Sequence, residues 1–176
     1  MALSGKKVVV LVEDSYQELE VWYPYYCLRQ LGAKTVLAGP EKREYRSKYG
    51  YPAQAELPVK QLSPKDWDCV VIPGGYAPDR LRRHSEVNQF VKKMFEAGKV
   101  VAAICHGPWV AISAGILRGR KCTCYYAIKD DVINAGAKYS DAEVVVDGKL
   151  ISSRNPGDLP AFCREIAKAL NKKQFA

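Results

Sequence analysis

Six cysteines and two histidines are the side chains through which this chain of 176 residues could do nucleophilic chemistry, and one of each stand side by side. Cys105 and His106 lie in the stretch VVAAICHGPWVAISAG, residues 100–115. Val100 to Ile104 reads as a buried strand, and Gly107-Pro108 opens a helix, since proline suits a first helical turn. A nucleophile between a strand and a helix sits on a sharp elbow, pushed out above the sheet edge. The helix aims its free N–H groups and positive dipole end at the sulfur, so the spacing predicts a thiol more acidic than the ordinary value of about 8.5. Taken alone, the stretch suits a buried core cysteine equally well.

The histidines exclude several chemistries. No histidine follows residue 106, and a cysteine α/β-hydrolase or a triad-type glutamine amidotransferase needs one after its elbow. No G-x-G-x-x-G follows a strand and no Walker sequence occurs, so no nucleotide cofactor is expected. Cys122-x-Cys124 has no second pair to complete a zinc site, and two strand residues one apart share a face of the core, so no metal is expected either.

Carboxylates come next. Parallel α/β sheets bind ligands outside the carboxyl ends of their strands, where the loops after Val12, Ile72 and Ile104 converge. The first loop supplies Glu13, Asp14, Glu18 and Glu20. Ser15 and Glu18 fit the S-x-x-E capping box of a helix that starts at Ser15. Leu19, Trp22, Tyr23 and Tyr26 then mark its core face. Glu20 falls at the margin of that face with Pro24, Cys27 and Leu31, where a solvated glutamate is as natural as a functional one. The second loop, Pro73-Gly74-Gly75, offers bare backbone N–H groups to a ligand.

The elements that must position these residues follow from apolar runs and turn signals. Lys7 to Val12, Lys34 to Ala38, Cys69 to Ile72 and Val100 to Ile104 are near-continuous apolar runs, as central parallel strands are. Between them lie a helix ending at Gly32 with Pro24 inside it, a Tyr-rich excursion over 39–62 with a small hairpin or edge strand near Ala55 to Val59, a one-turn helix at Ser63-Pro64, and a long helix over Asp79 to Ala97. Downstream come a short strand over Cys122 to Tyr126, a short helix over Asp130 to Asn134, and a hairpin of Glu143 to Val146 with Leu150 to Ser153 turning at Asp147-Gly148. Asp158 to Asn171 is the closing amphipathic helix. This alternation predicts a three-layer α/β sandwich with a mostly parallel sheet, one domain over 1–176.

A hydrophobic content of 48% and 26% charged residues describe an ordinary globule. No apolar run approaches the roughly eighteen residues of a membrane span, and MALSGKK does not read as a signal peptide. Irregular cysteine spacing implies a reducing, cytoplasmic setting rather than a disulfide framework. The net charge of +8 is scattered, and no stretch interleaves arginine with aromatics as a base-stacking surface does, so nucleic acid is not an expected partner.

The motifs ELEVWYP (18–24), VIPGGYAPDRLR (71–82), AICHGP (103–108), SAGILRGRKCT (113–123), IKDDVINAGAKY (128–139) and DAEVVVDGKLISSR (141–154), in this order over nearly the whole chain, resemble the PfpI-type intracellular cysteine proteases of the ThiJ/PfpI superfamily, which also contains a deglycase. The resemblance implies a flavodoxin-like sheet with a nucleophile elbow, similar to class I glutamine amidotransferases. It implies Cys105 as nucleophile, Glu20 as a buried glutamate bonded to the sulfur, and an oxyanion hole from the N–H groups of Gly75 and His106, with Gly74 in the same loop. The acid that orients the histidine would come from a neighbouring subunit; Asp79 matches it, one methylene shorter than the family's glutamate. Gln17 stands where relatives often carry glutamate, and Tyr125 matches a site-lining tyrosine, although a core or wall tyrosine would look the same. A homo-oligomer, dimer or hexamer, without cofactor is implied, acting on peptides by acyl transfer. The alternatives are a glyoxalase or deglycase acting on small carbonyl compounds through Cys105 and Glu20, or a redox-sensing, chaperone-like stress protein.

Overall fold

The computed structural model describes residues 2–171. β1 (Lys7–Leu11) leads to α1 (Glu18–Gln30) and β2 (Lys34–Gly39). A hairpin of β3 (Glu44–Arg46) and β4 (Pro52–Gln54) precedes the two-residue β5 (Leu57–Pro58). The middle of the chain holds β6 (Cys69–Ile72), α2 (Ala77–Leu81), α3 (Ser85–Glu96), β7 (Val100–Ile104) and α4 (Pro108–Ser113). The last third holds β8 (Lys121–Cys122), α5 (Lys129–Asn134), β9 (Lys138–Tyr139), the hairpin β10 (Val144–Asp147) with β11 (Leu150–Ser153), and α6 (Leu159–Asn171).

Seven strands form the main sheet in the order β10-β11-β7-β6-β1-β2-β5, parallel except for the β10–β11 hairpin. β6 sits at its centre and β1 beside it, with Val9 of β1 opposite Val36 on one side and Val70 on the other. Strands covered on both faces have no reason to alternate, which is why β1, β6 and β7 read as nearly unbroken apolar runs. Helices α1 and α6 pack together, as do α3 and α4. From β1 the chain crosses outward to β2, and from β6 it crosses the opposite way to β7. Right-handed crossovers in opposite directions put α1 and α3 on opposite faces, giving the three-layer sandwich. The reversal lies between the neighbouring strands β1 and β6, and a crevice opens there at their carboxyl ends. β7 and its elbow stand one strand away.

Four local expectations are corrected. Helix α1 begins at Glu18, not Ser15, and no capping box forms. Ser15 has φ 65°, Gln17 is the cap, its side-chain oxygen accepting the Glu20 N–H at 3.0 Å, and the Glu18 carboxylate instead takes the Ser47 hydroxyl. The buried face of α1 is Glu20, Val21, Pro24, Tyr25 and Leu28, whereas Leu19 is 55% and Tyr26 61% exposed. The single long helix after Gly75 is two, because the Asn88 side-chain amide donates to the Arg82 carbonyl at 2.7 Å and His84 turns extended between them. The strand at 122–126 stops at Cys122, since the Thr123 N–H goes to the Ser152 hydroxyl and the Tyr125 N–H to the Cys105 carbonyl.

Candidate active site

The elbow is built from backbone. Cys105 has φ 61°, a left-handed conformation that costs a non-glycine residue about 1–2 kcal/mol. Neighbours hold it there: its N–H donates to the Ser153 carbonyl at 3.0 Å and its carbonyl accepts the Tyr125 N–H at 2.9 Å. Gly107 lets the chain turn into α4 beneath β6, where a Cβ would lie 2.3 Å from the Ile72 carbonyl oxygen. The sulfur therefore stands at the sheet edge, with Cys105 only 7% exposed.

The loop after β6 closes against it. A Cβ on Gly74 would fall 2.6 Å from Cys105 Cβ, 2.6 Å from Glu20 Oε2 and 2.9 Å from Cys105 Sγ, so only glycine fits. Gly75 (φ 74°) is pinned under the loop after β1: the Gln17 N–H donates to the Gly74 carbonyl at 3.2 Å and the Tyr76 N–H to the Ser15 carbonyl at 2.9 Å. The backbone N–H groups of Gly75 and His106 both favour negative charge on the sulfur. A pair of backbone donors of this kind is what an oxyanion hole is built from.

Glu20 projects from the first turn of α1 into this crevice and is fully buried. Its Oε2 accepts the Gly74 N–H at 2.7 Å, its carboxyl group meets the Cys105 thiol, and its Oε1 is buried without a hydrogen-bond partner. Burial pushes the Glu20 carboxyl up to about 7, against the Gly74 and Cys105 hydrogen bonds that hold it down. Cys105 departs from the expectation of an acidic thiol. Burial first, and then the negative charge of Glu20, push it up to about 12. The N–H groups of Gly75 and His106 act in the opposite direction and are outweighed, and α4 is only six residues long. Burial thus favours the proton on the Cys105 sulfur, and Glu20, when ionised, is the carboxylate beside it.

His106 forms the outer wall. Its Nδ1 is 3.3 Å from Cys105 Sγ. The ring lies between Tyr125 at 5.1 Å and Tyr76 at 6.5 Å, both nearly parallel to it, with Trp109 edge-on at 5.0 Å. Burial and then Lys48 lower its pKa, favouring the neutral imidazole that a proton carrier needs. Among the described residues, no carboxylate hydrogen-bonds or pairs with His106. Asp79 lies on α2, partly exposed, and pairs with Arg83 one turn along. No group of three or more His, Cys, Asp or Glu able to hold a metal occurs among the described residues.

The crevice thus gathers Cys105, Glu20, Gly74, Gly75, His106 and Tyr125, and leaves Asp79 outside. Sequence reasoning missed Tyr76, Trp109 and Lys48. Tyr76 follows the glycine pair directly and Trp109 is three residues after His106, so their closeness to the histidine was a readable signal. Lys48 had none, because only the β3–β4 hairpin brings its charge to Glu20 and His106. Beside the crevice runs an open groove of about 760 Å³ between α1 and that hairpin, lined by Leu19, Trp22, Tyr26, Tyr49 and Tyr51 among others.

Comparison with known proteins agrees with this geometry. A family model described as DJ-1/PfpI family matches residues 6–169. A deglycase of Pyrococcus abyssi is 46% identical over 164 residues, 93% of this chain and 99% of that protein. A Bacillus subtilis protein named as a candidate cysteine protease, YraA, is 40% identical over 167 residues, 94% of this chain and 99% of its own length. Among solved structures, a two-domain protein of Anabaena variabilis with DJ-1/ThiJ/PfpI-like and ferritin-like domains superimposes with a TM-score of 0.92 at 40% identity. That match covers 97% of this chain and 52% of the larger one.

Proposed function

The chain belongs to the DJ-1/PfpI family, and from that premise we propose a cysteine-dependent hydrolase whose preferred substrates are small 2-oxoaldehydes, such as methylglyoxal, and their adducts with amines: the chemistry of a deglycase. The buried contact between the Glu20 carboxyl and the Cys105 thiol carries this reading. As the sulfur attacks the aldehyde carbon, Glu20 takes its proton and the N–H groups of Gly75 and His106 hold the developing oxyanion. Glu20 hands that proton on to the oxyanion or, with an amine adduct, to the amine as it leaves, and is a base again. Glu20 then moves a proton from the former aldehyde carbon to the neighbouring one, so that the first is oxidised and the second reduced. Water hydrolyses the resulting thioester to a 2-hydroxy acid and frees Cys105. No outside oxidant is consumed. A cysteine only 7% exposed, behind Gly74, suits a small substrate better than a chain segment.

A second reading, peptide hydrolysis, is favoured by the His106 Nδ1 at 3.3 Å from the sulfur. Acyl transfer needs a group to carry a proton to the leaving amine, and a neutral imidazole does this. Its orienting acid would be Asp79 of a neighbouring subunit in a homo-oligomer, dimer or hexamer. The partly exposed Asp79 and the aromatic groove beside the site support such an assembly. We read residues 1–176 as one working unit in the cytoplasm, with neither membrane nor nucleic acid as partner. No helix among the described residues is long and apolar enough to cross a membrane.

Parallel assays on methylglyoxal and on unfolded peptide test the division of roles. Cys105→Ala abolishes both activities. Glu20→Gln lowers the carbonyl reaction by about a hundredfold or more, the scale of general acid–base catalysis, while His106→Ala cuts peptidase activity by a similar factor and spares the carbonyl reaction. Equal losses of both activities in both variants would mean one shared mechanism. Activity that survives in Cys105→Ala would leave the stress-sensor reading in its place.

A further inference from the structure

His106 presents Nδ1 to the Cys105 sulfur at 3.3 Å, yet no carboxylate among the described residues fixes that orientation. Histidine χ2 is broad and roughly two-fold, so a half-turn of the ring brings Cδ2 to the same place. A C–H edge takes no proton, and the ring would then be useless to the sulfur. Packing has to make the choice. Tyr125 and Tyr76 lie nearly parallel to the imidazole, at 5.1 and 6.5 Å, but they are 41% and 69% exposed. Trp109 stands across the ring instead, at 5.0 Å and 66°, where it blocks the half-turn. It is the wall whose side chain is itself braced.

The braces come from elements outside the elbow. The indole Nε1–H donates to Asp131 Oδ2 at 2.8 Å, in the first turn of α5. The Arg82 guanidinium lies over the indole, its carbon 5.7 Å from the ring centre, and this cation–π contact is fixed in turn. Arg82 Nε donates to the Ser113 hydroxyl at 2.9 Å, at the end of α4. The Trp109 backbone N–H donates to the His106 carbonyl at 3.0 Å, so indole and imidazole leave the same turn of chain. Asp131 belongs to the stretch IKDDVINAGAKY, and it touches neither Cys105 nor Glu20.

We propose that Asp131 is a positioning residue for His106 and acts through Trp109: the carboxylate holds the indole, and the indole holds the imidazole with Nδ1 toward the sulfur. A hydrogen bond to an ionised acceptor is roughly twice as strong as a neutral one, which suits an exposed side chain that has to hold a large ring. The catalytic consequence rests on the peptidase reading. There Nδ1 takes the thiol proton as the sulfur attacks the peptide carbonyl, and gives it to the amine as the C–N bond breaks. The bracket is compatible with an acid from a neighbouring subunit, since Nδ1 faces the sulfur and Nε2 is left for that acid.

The test uses the full chain carrying isotope-labelled histidine. The chain has two histidines, and the His106 signals are those missing from His106→Ala. In wild type the aromatic walls should displace the His106 ring signals from those of a free histidine. Asp131→Ala, a change at an exposed residue, should bring them back toward the free positions. It should also lower kcat for peptide about fivefold with KM unchanged, the scale of one hydrogen bond. Asp131→Asn keeps an oxygen for the indole and should restore both. Trp109→Phe keeps a ring without the N–H, and adding Asp131→Ala to it should change nothing more, because Asp131 then has nothing to hold. Ring signals unmoved in Asp131→Ala overturn the proposal, as does an Asp131→Ala effect that persists in the Trp109→Phe background. A wild type without peptidase activity would end the peptidase reading alone, and the ring signals would still decide whether Asp131 holds His106 through Trp109.

Discussion

At the scale of single residues, the site turns on where one proton resides. Glu20 is raised from 4.5 in the unfolded chain to about 7 in the folded protein. Between those values the folded state holds a proton that the unfolded state has released, so stability falls as pH rises through this window, by about 3 kcal/mol in all. Glu20→Gln keeps an acceptor for the Gly74 N–H and carries no charge. Denaturation of both proteins at about pH 5 and about pH 8 should show wild type losing stability that the variant retains, the gap being of order 1–3 kcal/mol. The same substitution removes the charge that opposes a Cys105 thiolate, and the Cys105 pKa, followed by thiolate absorbance, should drop by about one unit or more. In wild type the carbonyl reaction needs Glu20 ionised, so kcat/KM should climb with pH and level off above about 7. A flat profile between pH 5 and 8 would exclude Glu20 as the base. The elbow that carries Cys105 and His106 was readable from their place between a strand and Gly107-Pro108. The high thiol pKa was not, because it depends on burial by residues far away in the chain.

At the scale of elements, the site is a clasp between the loop after β6 and the elbow after β7, with α1 inserted from the side. Gly74 is its tightest point. Gly74→Ala puts a methyl group within 3 Å of Cys105 and of Glu20, both buried, and overpacking of this kind costs about 1–3 kcal/mol. The variant should fold with a lowered Tm and lose most activity, whereas Gly115→Ala, whose new methyl meets nothing within 4 Å, should lower stability through its φ of 72° alone and leave kcat/KM intact. The order of strands and helices was legible in the apolar runs, since β1, β6 and β7 are covered on both faces. The orientation of α1 was not. Leu19, Trp22 and Tyr26 have the spacing of a core face, yet they line the groove against the β3–β4 hairpin, and a carboxylate occupies the buried side. Periodicity finds an apolar stripe but does not say which of two surfaces it covers. Ser15 was equally misleading: its composition fits a cap, and its left-handed backbone serves the bridge to Tyr76 instead.

At the scale of the whole molecule, the proposed role of Asp79 toward a neighbour's His106 would make peptidase activity a property of assembly, since within its own chain Asp79 pairs with Arg83. Mixing Cys105→Ala with Asp79→Ala subunits should restore up to about a quarter of the wild-type sites in a freely exchanging dimer, because half the dimers are mixed and each has one complete site. The measurement is peptidase activity against mixing time; no recovery on full exchange, or an active monomer at high dilution, would place the orienting acid elsewhere. The carbonyl reaction should be indifferent to the same mixing. One further consequence follows from the left-handed backbone at Cys105. The fold supports that conformation through Ser153 and Tyr125, and cysteine is a poor tenant of it; glycine, asparagine or aspartate would sit there with less strain. On the proposed chemistry, the sulfur's reactivity is what justifies the occupant. A descendant released from its chemistry would drift toward those three residues at position 105 while the surrounding turn stayed as it is, so the identity of this single residue separates working copies of the gene from retired ones.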